Sequence, residues 1–316
     1  AVEEQAATSA RDCLFRVAGI STLHHSRFSR ADRPLLDAAV QAQMGKQRAP
    51  RSSGLVIVGT QTLEQSLDID ADYLITDLCP MDVLLQRLGR LHRHERPAVA
   101  GQDGARPAAF STAQALVLTP AGGNLAPLLK RQRHGLGPIR STGQALSGVY
   151  PDLRVLEATQ RLINAAPARR IPADNRVLVE QATHPEALDA IAQELGADWL
   201  QFGTEYEGAL AANKAVANLH ALPFDQDLLD LRFPQNEGHI GSRLGAADRL
   251  LVFDSPPMGP FARPVKQLAL RAHMLPPDLP PESEPVDVEA LGNGDGFLFS
   301  LGTTRYSYTR LGIMRI

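Results

Sequence analysis

LVIVGTQTLEQSLDID, Leu55 to Asp70, is the stretch whose reading decides the fold. Leu55–Val58 is an aliphatic, β-branched run that stops at Gly59, the pattern of a strand buried on both faces of a parallel sheet. Ligands of open α/β sheets sit at the carboxyl ends of strands, and Thr60 falls at such an end, where hydroxyl and backbone N–H can meet a phosphate. Thr62 and Gln65 have the spacing of a capping box, so a helix starting there would aim its N-terminus at an anion. Taken alone, the stretch reads equally well as strand–turn–helix with no ligand. Asp68, Asp70 and Asp72 do not form a calcium loop, because Tyr73 and Cys79 stand where the glycine and the closing glutamate would have to be.

Downstream, Tyr73–Thr76 is a second run of buried-strand character, and Ala115–Leu118 is a third. Between them the pattern predicts a helix over Met81–His94, with Pro80 suited to its first turn. On a helix, Gln86, Arg90 and Arg93 share one face at i, i+4 and i+7, and Leu84, Leu88 and Leu91 share the opposite face. The leucines would anchor the helix to the sheet, while the other face offers an amide and two guanidiniums. Paired guanidiniums suit the spread charge of a transferring phosphoryl group. A solvated basic face is the alternative reading of the same spacing.

Working outward, Ala1–Val17 reads as a helix, Ile20–His24 as a short strand and Ala31–Met44 as a helix. Strand–helix alternation through residue 122 implies a parallel sheet flanked by helices. Helices are expected at Leu153–Ala165, Glu186–Leu195 and Ala197–His220, making 123–222 a mainly helical connector. Strand candidates at Arg249–Phe253, Phe297–Leu301 and Arg305–Thr309 make 223–316 a small β-rich C-terminal domain, with Leu275–Pro285 a proline-rich loop. The fold class is therefore α/β: a RecA-like parallel sheet, a helical connector and a β-rich end.

Apolar residues are 44% of the 316, enough for real cores, and the formal charge of −3 excludes a uniformly basic nucleic-acid coat. Two distant cysteines, Cys13 and Cys79, allow neither a disulfide framework nor a zinc cluster, and both sit in apolar patterns that predict buried thiols. Neither a signal peptide nor a membrane-length apolar run is visible, so a cytoplasmic protein without a membrane partner is expected. The chain opens on alanine inside a helix-like pattern, as a piece of something longer would.

TQTLEQSLDID followed by DLCPMDVLLQRLGRLHRH resembles motifs V and VI of superfamily-2 helicases, and in wording is similar to the helicase-nuclease of type I CRISPR systems. LHHSRF, Leu23–Phe28, with Asp32 and Arg33 resembles the segment before motif V in that family, and SRLG (Ser242–Gly245) with the late FLFS and RYSYTRLG resembles its C-terminal domain. The resemblance implies the second RecA-like lobe of an ATP-dependent DNA helicase that unwinds target DNA in antiviral defence. It implies arginine fingers at Arg90 and Arg93, with Gln86 near the γ-phosphate and its water. Asp68 would lie near the nucleotide, Thr60, Gln61, Ser26 and Arg27 on the strand backbone, and Glu64 and Gln65 between the two sites. ATP with Mg²⁺ would be shared with a first lobe, because this chain has no G-x-x-x-x-G-K-[ST] loop and no D-E-x-H element. His24-His25 and His92/His94 do not supply the family's nuclease metal ligands and read as hydrogen-bonding or surface residues; no metal site is expected. The implied partners are single-stranded DNA, the first lobe and nuclease domain, and the RNA-guided target-recognition complex. Alone, the polypeptide is expected to lack ATPase activity. The other open reading is a catalytically incomplete DNA- or partner-binding module from a truncated or split gene.

Overall fold

The computed structural model describes residues 15–48, 54–64, 67–96, 105–133, 135–138, 148–166, 168–219, 248–276, 279–280 and 283–316. The fold is mixed α/β, and the chain divides into two compact units: residues 1–69 with 238–316, and residues 70–237. No helix among the described residues is long and apolar enough to cross a membrane.

In the first unit, β1 (Phe15–Val17) and β2 (Ile20–Thr22) form an antiparallel hairpin, and α1 spans Arg33–Met44. The helix expected over Ala1–Val17 lies outside the described residues up to position 14, and its last three residues are strand. The C-terminal part supplies β5 (Arg249–Val252) paired with β6 (Gln267–Leu270), then β7 (Val286–Ala290), β8 (Phe297–Leu301), β9 (Thr304–Thr309) and β10 (Gly312–Arg315). The last four make an antiparallel sheet in the order β10-β9-β8-β7. Alternation decides its buried face: Phe297, Phe299 and Leu301 on β8 and Tyr306 and Tyr308 on β9 are fully buried, with Phe253 edge-on to Phe297 and Phe299. Val17, Phe28 and Leu36 belong to the same core, so residues near the start and the end of the chain fold together.

A line of hydrogen bonds runs along this join. Thr22 Oγ1 donates to the Arg310 carbonyl at 2.6 Å, His25 Nε2 to the Leu311 carbonyl at 3.1 Å, and the Ile313 N–H to the Arg27 carbonyl at 2.9 Å. At its centre the buried Tyr308 hydroxyl donates to Asp32 Oδ2 at 2.5 Å and accepts the Ser29 N–H at 2.9 Å. Burial and the neighbouring Asp32 charge push the Tyr308 phenol far above its ordinary range, so it stays a donor.

The second unit holds β3 (Tyr73–Asp77), α2 (Met81–Leu88), β4 (Gln114–Leu118), α3 (Leu153–Ala165), α4 (Asn175–Thr183), α5 (Pro185–Leu195) and α6 (Ala197–Leu219). The three helices read from the sequence are there, and α4 joins them. Its core gathers Leu78, Leu84, Leu125, Leu153, Leu156, Trp199 and Phe202, and Cys79 is buried in it as its pattern predicts. Cys13 lies outside the described residues. Among the described residues the only parallel pairing of named strands is β3 with β4, in register from Tyr73↔Gln114 to Asp77↔Leu118.

Two sequence expectations give way here. The strands β3 and β4 are not buried on both faces: Ile75 and its register partner Leu116 are 60% and 46% exposed. On the other face Thr76 is buried and its register partner, the half-buried Val117, packs against the core. Leu55–Val58 is not a strand at all, and Val56 and Val58 are 85% and 74% exposed. Only Ile57 packs, against Val40, Leu67 and Ile69, and no described strand pairs with the run. A β-branched run needs such a neighbour to become a ladder.

Replacing Tyr308 by Phe keeps the ring but leaves the buried Asp32 carboxylate short of a donor. The expected loss is about 1–3 kcal/mol, the cost of stranding a buried polar group. Calorimetric melting checks it, and an unchanged transition would show that the tyrosine hydroxyl carries no share of the join.

Candidate functional site

The residues singled out for strand contact all lie in the first unit. Ser26 is exposed, and Arg27 is half-buried with its carbonyl held by β10. Thr60 and Gln61 are exposed at the start of a short 3₁₀ turn, Gln61–Leu63. Thr62 stands in the 3₁₀ turn, and its hydroxyl bonds to His24 Nδ1 at 3.2 Å; Gln65, the other half of the expected capping box, lies outside the described residues. That bond ties the LHHSRF segment to the Thr60–Gln61 turn, a link that the sequence alone does not reveal. Asp68 is half-buried between Leu67 and Ile69, whose buried side chains pack on Val40 of α1. Glu64 closes the 3₁₀ turn, its N–H donating to the Gln61 carbonyl at 3.1 Å.

His24 is the hub of this arrangement. It is buried, with Nε2 donating to Asp37 Oδ1 at 2.7 Å and Nδ1 left to accept the Thr62 hydroxyl. Arg33 Nε also reaches Asp37 Oδ1, at 3.1 Å. Burial is the largest influence on the imidazole and lowers its pKa from 6.5; the hydrogen bond to Asp37 opposes this without reversing it. His25 has a complementary role, with Nδ1 accepting the Arg27 N–H at 3.1 Å. Both histidines are thus structural hydrogen-bonding groups, in line with their sequence context.

The residues singled out for phosphoryl chemistry lie in the second unit. The helix expected over Met81–His94 ends at Leu88, with Gly89 as its C-cap. Backbone bonding to the segment just before β3 displaces it: the Ala71 N–H donates to the Arg90 carbonyl at 2.8 Å and the His92 N–H to the Ala71 carbonyl at 3.0 Å. A weak helix former at Gly89 makes that exchange cheap, and His92 takes the left-handed conformation at φ 48°. Gln86 is therefore on the helix and exposed, whereas Arg90, half-buried, and Arg93, exposed, stand on the turn that follows. They do not form the single helical face that the spacing predicts. Arg93 Nη1 donates back to the Gly89 carbonyl at 3.3 Å.

Asp70 holds this turn from below. It is fully buried and accepts Arg96 Nε at 2.7 Å, Arg106 Nη2 at 2.6 Å and the His94 N–H at 3.3 Å. Burial alone would raise its pKa, but the hydrogen bonds from Arg106 and Arg96 outweigh it and hold the carboxyl below its usual range. Arg106 also pairs with Asp72 and reaches the His94 carbonyl at 3.2 Å. Arg106 follows a Pro- and Gly-containing stretch of sequence, and no pattern there points to it. Arg87 carries no sequence signal either; it braces α2 by donating to Thr76 Oγ1 at 2.5 Å and the Tyr150 hydroxyl at 2.9 Å.

The lowered pKa of His24 has a pH consequence. The unfolded imidazole takes a proton as pH falls through 6.5, while the folded one resists it. Stability of the first unit is thus full above 6.5 and declines as pH falls below it toward the folded value. Urea midpoints between about pH 8 and about pH 5.5 should drop toward acid, and His24→Gln should flatten the profile. Identical slopes for the two proteins would exclude His24 as the source.

Residues 4–96 match the family model for the C-terminal domain of the CRISPR-associated nuclease/helicase Cas3. The CRISPR-associated endonuclease/helicase Cas3 of Escherichia coli K12 is 46% identical over 100 residues, which are 32% of this chain and 10% of the relative. The protein of that description from Thermus thermophilus is 35% identical over 175 residues, 55% of this chain and 16% of the relative. The crystal structure of T. fusca Cas3 superimposes with a TM-score of 0.58 at 22% identity, covering 99% of this chain and 36% of that one. A chain of a CRISPR RNA-guided surveillance complex, pre-nicking, superimposes with a TM-score of 0.51 at 21% identity, covering 93% and 37%. The chain thus spans only a part of each of these proteins. Residues 4–96 are thus similar to the C-terminal part of a Cas3 helicase, and the chain shares the fold of T. fusca Cas3 along almost its whole length.

Proposed function

We propose that this chain is the second motor lobe and C-terminal domain of an ATP-dependent DNA helicase acting in type I CRISPR interference. In this reading 1–122 is a RecA-like lobe, 123–222 a connector and 223–316 a C-terminal domain. Arg90 and Arg93 are the arginine fingers, Gln86 orients the attacking water, and Asp68 lies toward the nucleotide. ATP and Mg²⁺ are held by a first lobe, and Thr60, Gln61, Ser26 and Arg27 grip the phosphates of single-stranded DNA. The target-recognition complex is the partner that delivers the strand.

The observation that supports it best is the fixed turn after α2. A guanidinium placed against a phosphoryl group must be pre-positioned to lower the barrier. Two backbone bonds to Ala71 and the buried Asp70 carboxylate give the Arg90–His94 turn that rigidity. A flexible surface loop would carry the same charges without the precision. Phosphate contacts from Thr60, Gln61, Ser26 and Arg27 carry no base information, so translocation in this reading is sequence-independent.

The 316-residue chain should hydrolyse no ATP by itself. Joined to a first lobe with its phosphate loop, it should show DNA-stimulated hydrolysis. Arg90→Ala or Arg93→Ala in that joined enzyme should lower turnover by roughly 10³-fold or more, the scale of an arginine finger. A steady-state phosphate-release assay decides it; wild-type turnover in both variants removes the finger assignment.

A further inference from the structure

The first unit has a cleft of about 310 Å³ lined by Arg27, His273, Met274, Met314 and Arg315. Three of the five are basic and none is acidic. Local folding brings them together. The Arg27 carbonyl takes the Ile313 N–H at 2.9 Å, which sets Arg27 beside β10. Gly312 permits that approach: its φ is 83°, and a Cβ there would lie 2.7 Å from the Arg27 carbonyl oxygen. Register places Arg315 opposite Tyr306, and the Tyr306 hydroxyl donates to the Met274 carbonyl at 2.5 Å. That bond fixes the turn that carries His273.

Three arginines of this unit lie in ion pairs: Arg33 with Asp37, Arg271 with Asp248 and Arg305 with Glu289. Among the described residues, Arg27, His273 and Arg315 form no ion pair. Two guanidiniums without an ion pair, beside an imidazole and with no acidic group in the lining, make the cleft a local anion site in a protein of net charge −3.

We propose that Arg27, His273 and Arg315 form a phosphate cradle for the backbone of single-stranded DNA. The inference rests on the helicase reading above and adds a grip on the strand made by the C-terminal strands. Guanidinium forks match phosphate oxygens, and two of them at one cleft can hold adjacent phosphates. Met274 and Met314 offer an apolar floor to the sugars. No Phe, Tyr or Trp lines the cleft, so its lining favours phosphate contacts, which are indifferent to sequence.

The test is fluorescence anisotropy of a labelled oligothymidylate titrated with the 316-residue chain over a range of salt. Arg315→Gln and His273→Ala, both at exposed positions, should each weaken binding several-fold. Every phosphate that a variant no longer neutralises should make the slope of log K against log salt shallower by about 0.7. Lys266→Glu changes an exposed charge away from the cleft and should leave binding within about twofold. Three results would overturn the proposal: no binding by the parent chain, parent-like binding by both cleft variants, or an equal weakening in Lys266→Glu. Failure here would leave the arginine-finger reading standing, since turnover of the joined enzyme reports on Arg90 and Arg93 alone.

Discussion

Asp32 and Tyr308 are 276 positions apart in sequence and meet in a buried hydrogen bond. Bringing two such positions together costs about 5 kcal/mol if the intervening chain is treated as a flexible loop, from (3/2)RT ln n. One hydrogen bond nets only about 0.5–1.5 kcal/mol, so it cannot close that loop. Burial can: Val17, Phe28 and Leu36 enter the C-terminal aromatic core, and each such side chain contributes on the order of 1.5–3 kcal/mol. The apolar groups therefore hold the two ends together, and the polar groups decide how they align. A slip of one residue along β9 would turn the exposed Arg305 toward the core in place of a tyrosine, and Asp32 would lose its donor. The LHHSRF segment owes its conformation to this alignment.

The second unit solves a different problem. Its α2 helix must stop so that the next residues can turn, and an arginine-rich continuation would extend a helix readily, since arginine is a good helix former. The stop comes from competition. Two backbone bonds to Ala71 replace the helical bonds that residues beyond Leu88 would make, and the buried Asp70 carboxylate takes the His94 N–H. A buried carboxylate costs several kcal/mol unless it is paired, and Arg96 and Arg106 supply that pairing. The turn bearing Arg90 and Arg93 is thus held through a buried carboxylate that Arg96 and Arg106 neutralise.

Legibility in the sequence follows from which interactions are local. Helices α1, α3, α5 and α6 are visible because their periodicity is a property of the segment itself. The end of α2 is not, because Ala71 lies outside the helix and only the folded backbone shows that it competes. Leu55–Val58 has strand composition, but a ladder needs a partner that the described residues do not supply. Strands β6, β7 and β10 escape a reading by pattern: Val286–Ala290 alternates with charges on an exposed edge, and Gly312–Arg315 is too short to show a period. At the candidate site, residue types are readable and neighbours are not. Thr62 fits a cap in sequence, yet His24 claims its hydroxyl.

The two units share one device. In each, a short non-helical segment that bears arginine is fixed by hydrogen bonds of its own backbone. Arg27 sits on a residue whose carbonyl and N–H are both bonded, to Ile313 and to His25. Arg90 has its carbonyl bonded to Ala71, and His92 beside it has its N–H bonded there too. Arg154 shows the opposite arrangement: its guanidinium is buried and spent on Asp152, Asp189 and Glu207, where it joins helices of the second unit. Arg154, used for cohesion, is anchored through its side chain, and the segments proposed for phosphate contact are fixed through the main chain. That division follows from chemistry: a side chain that must meet a moving, charged ligand has to be positioned by atoms other than its own charged tip.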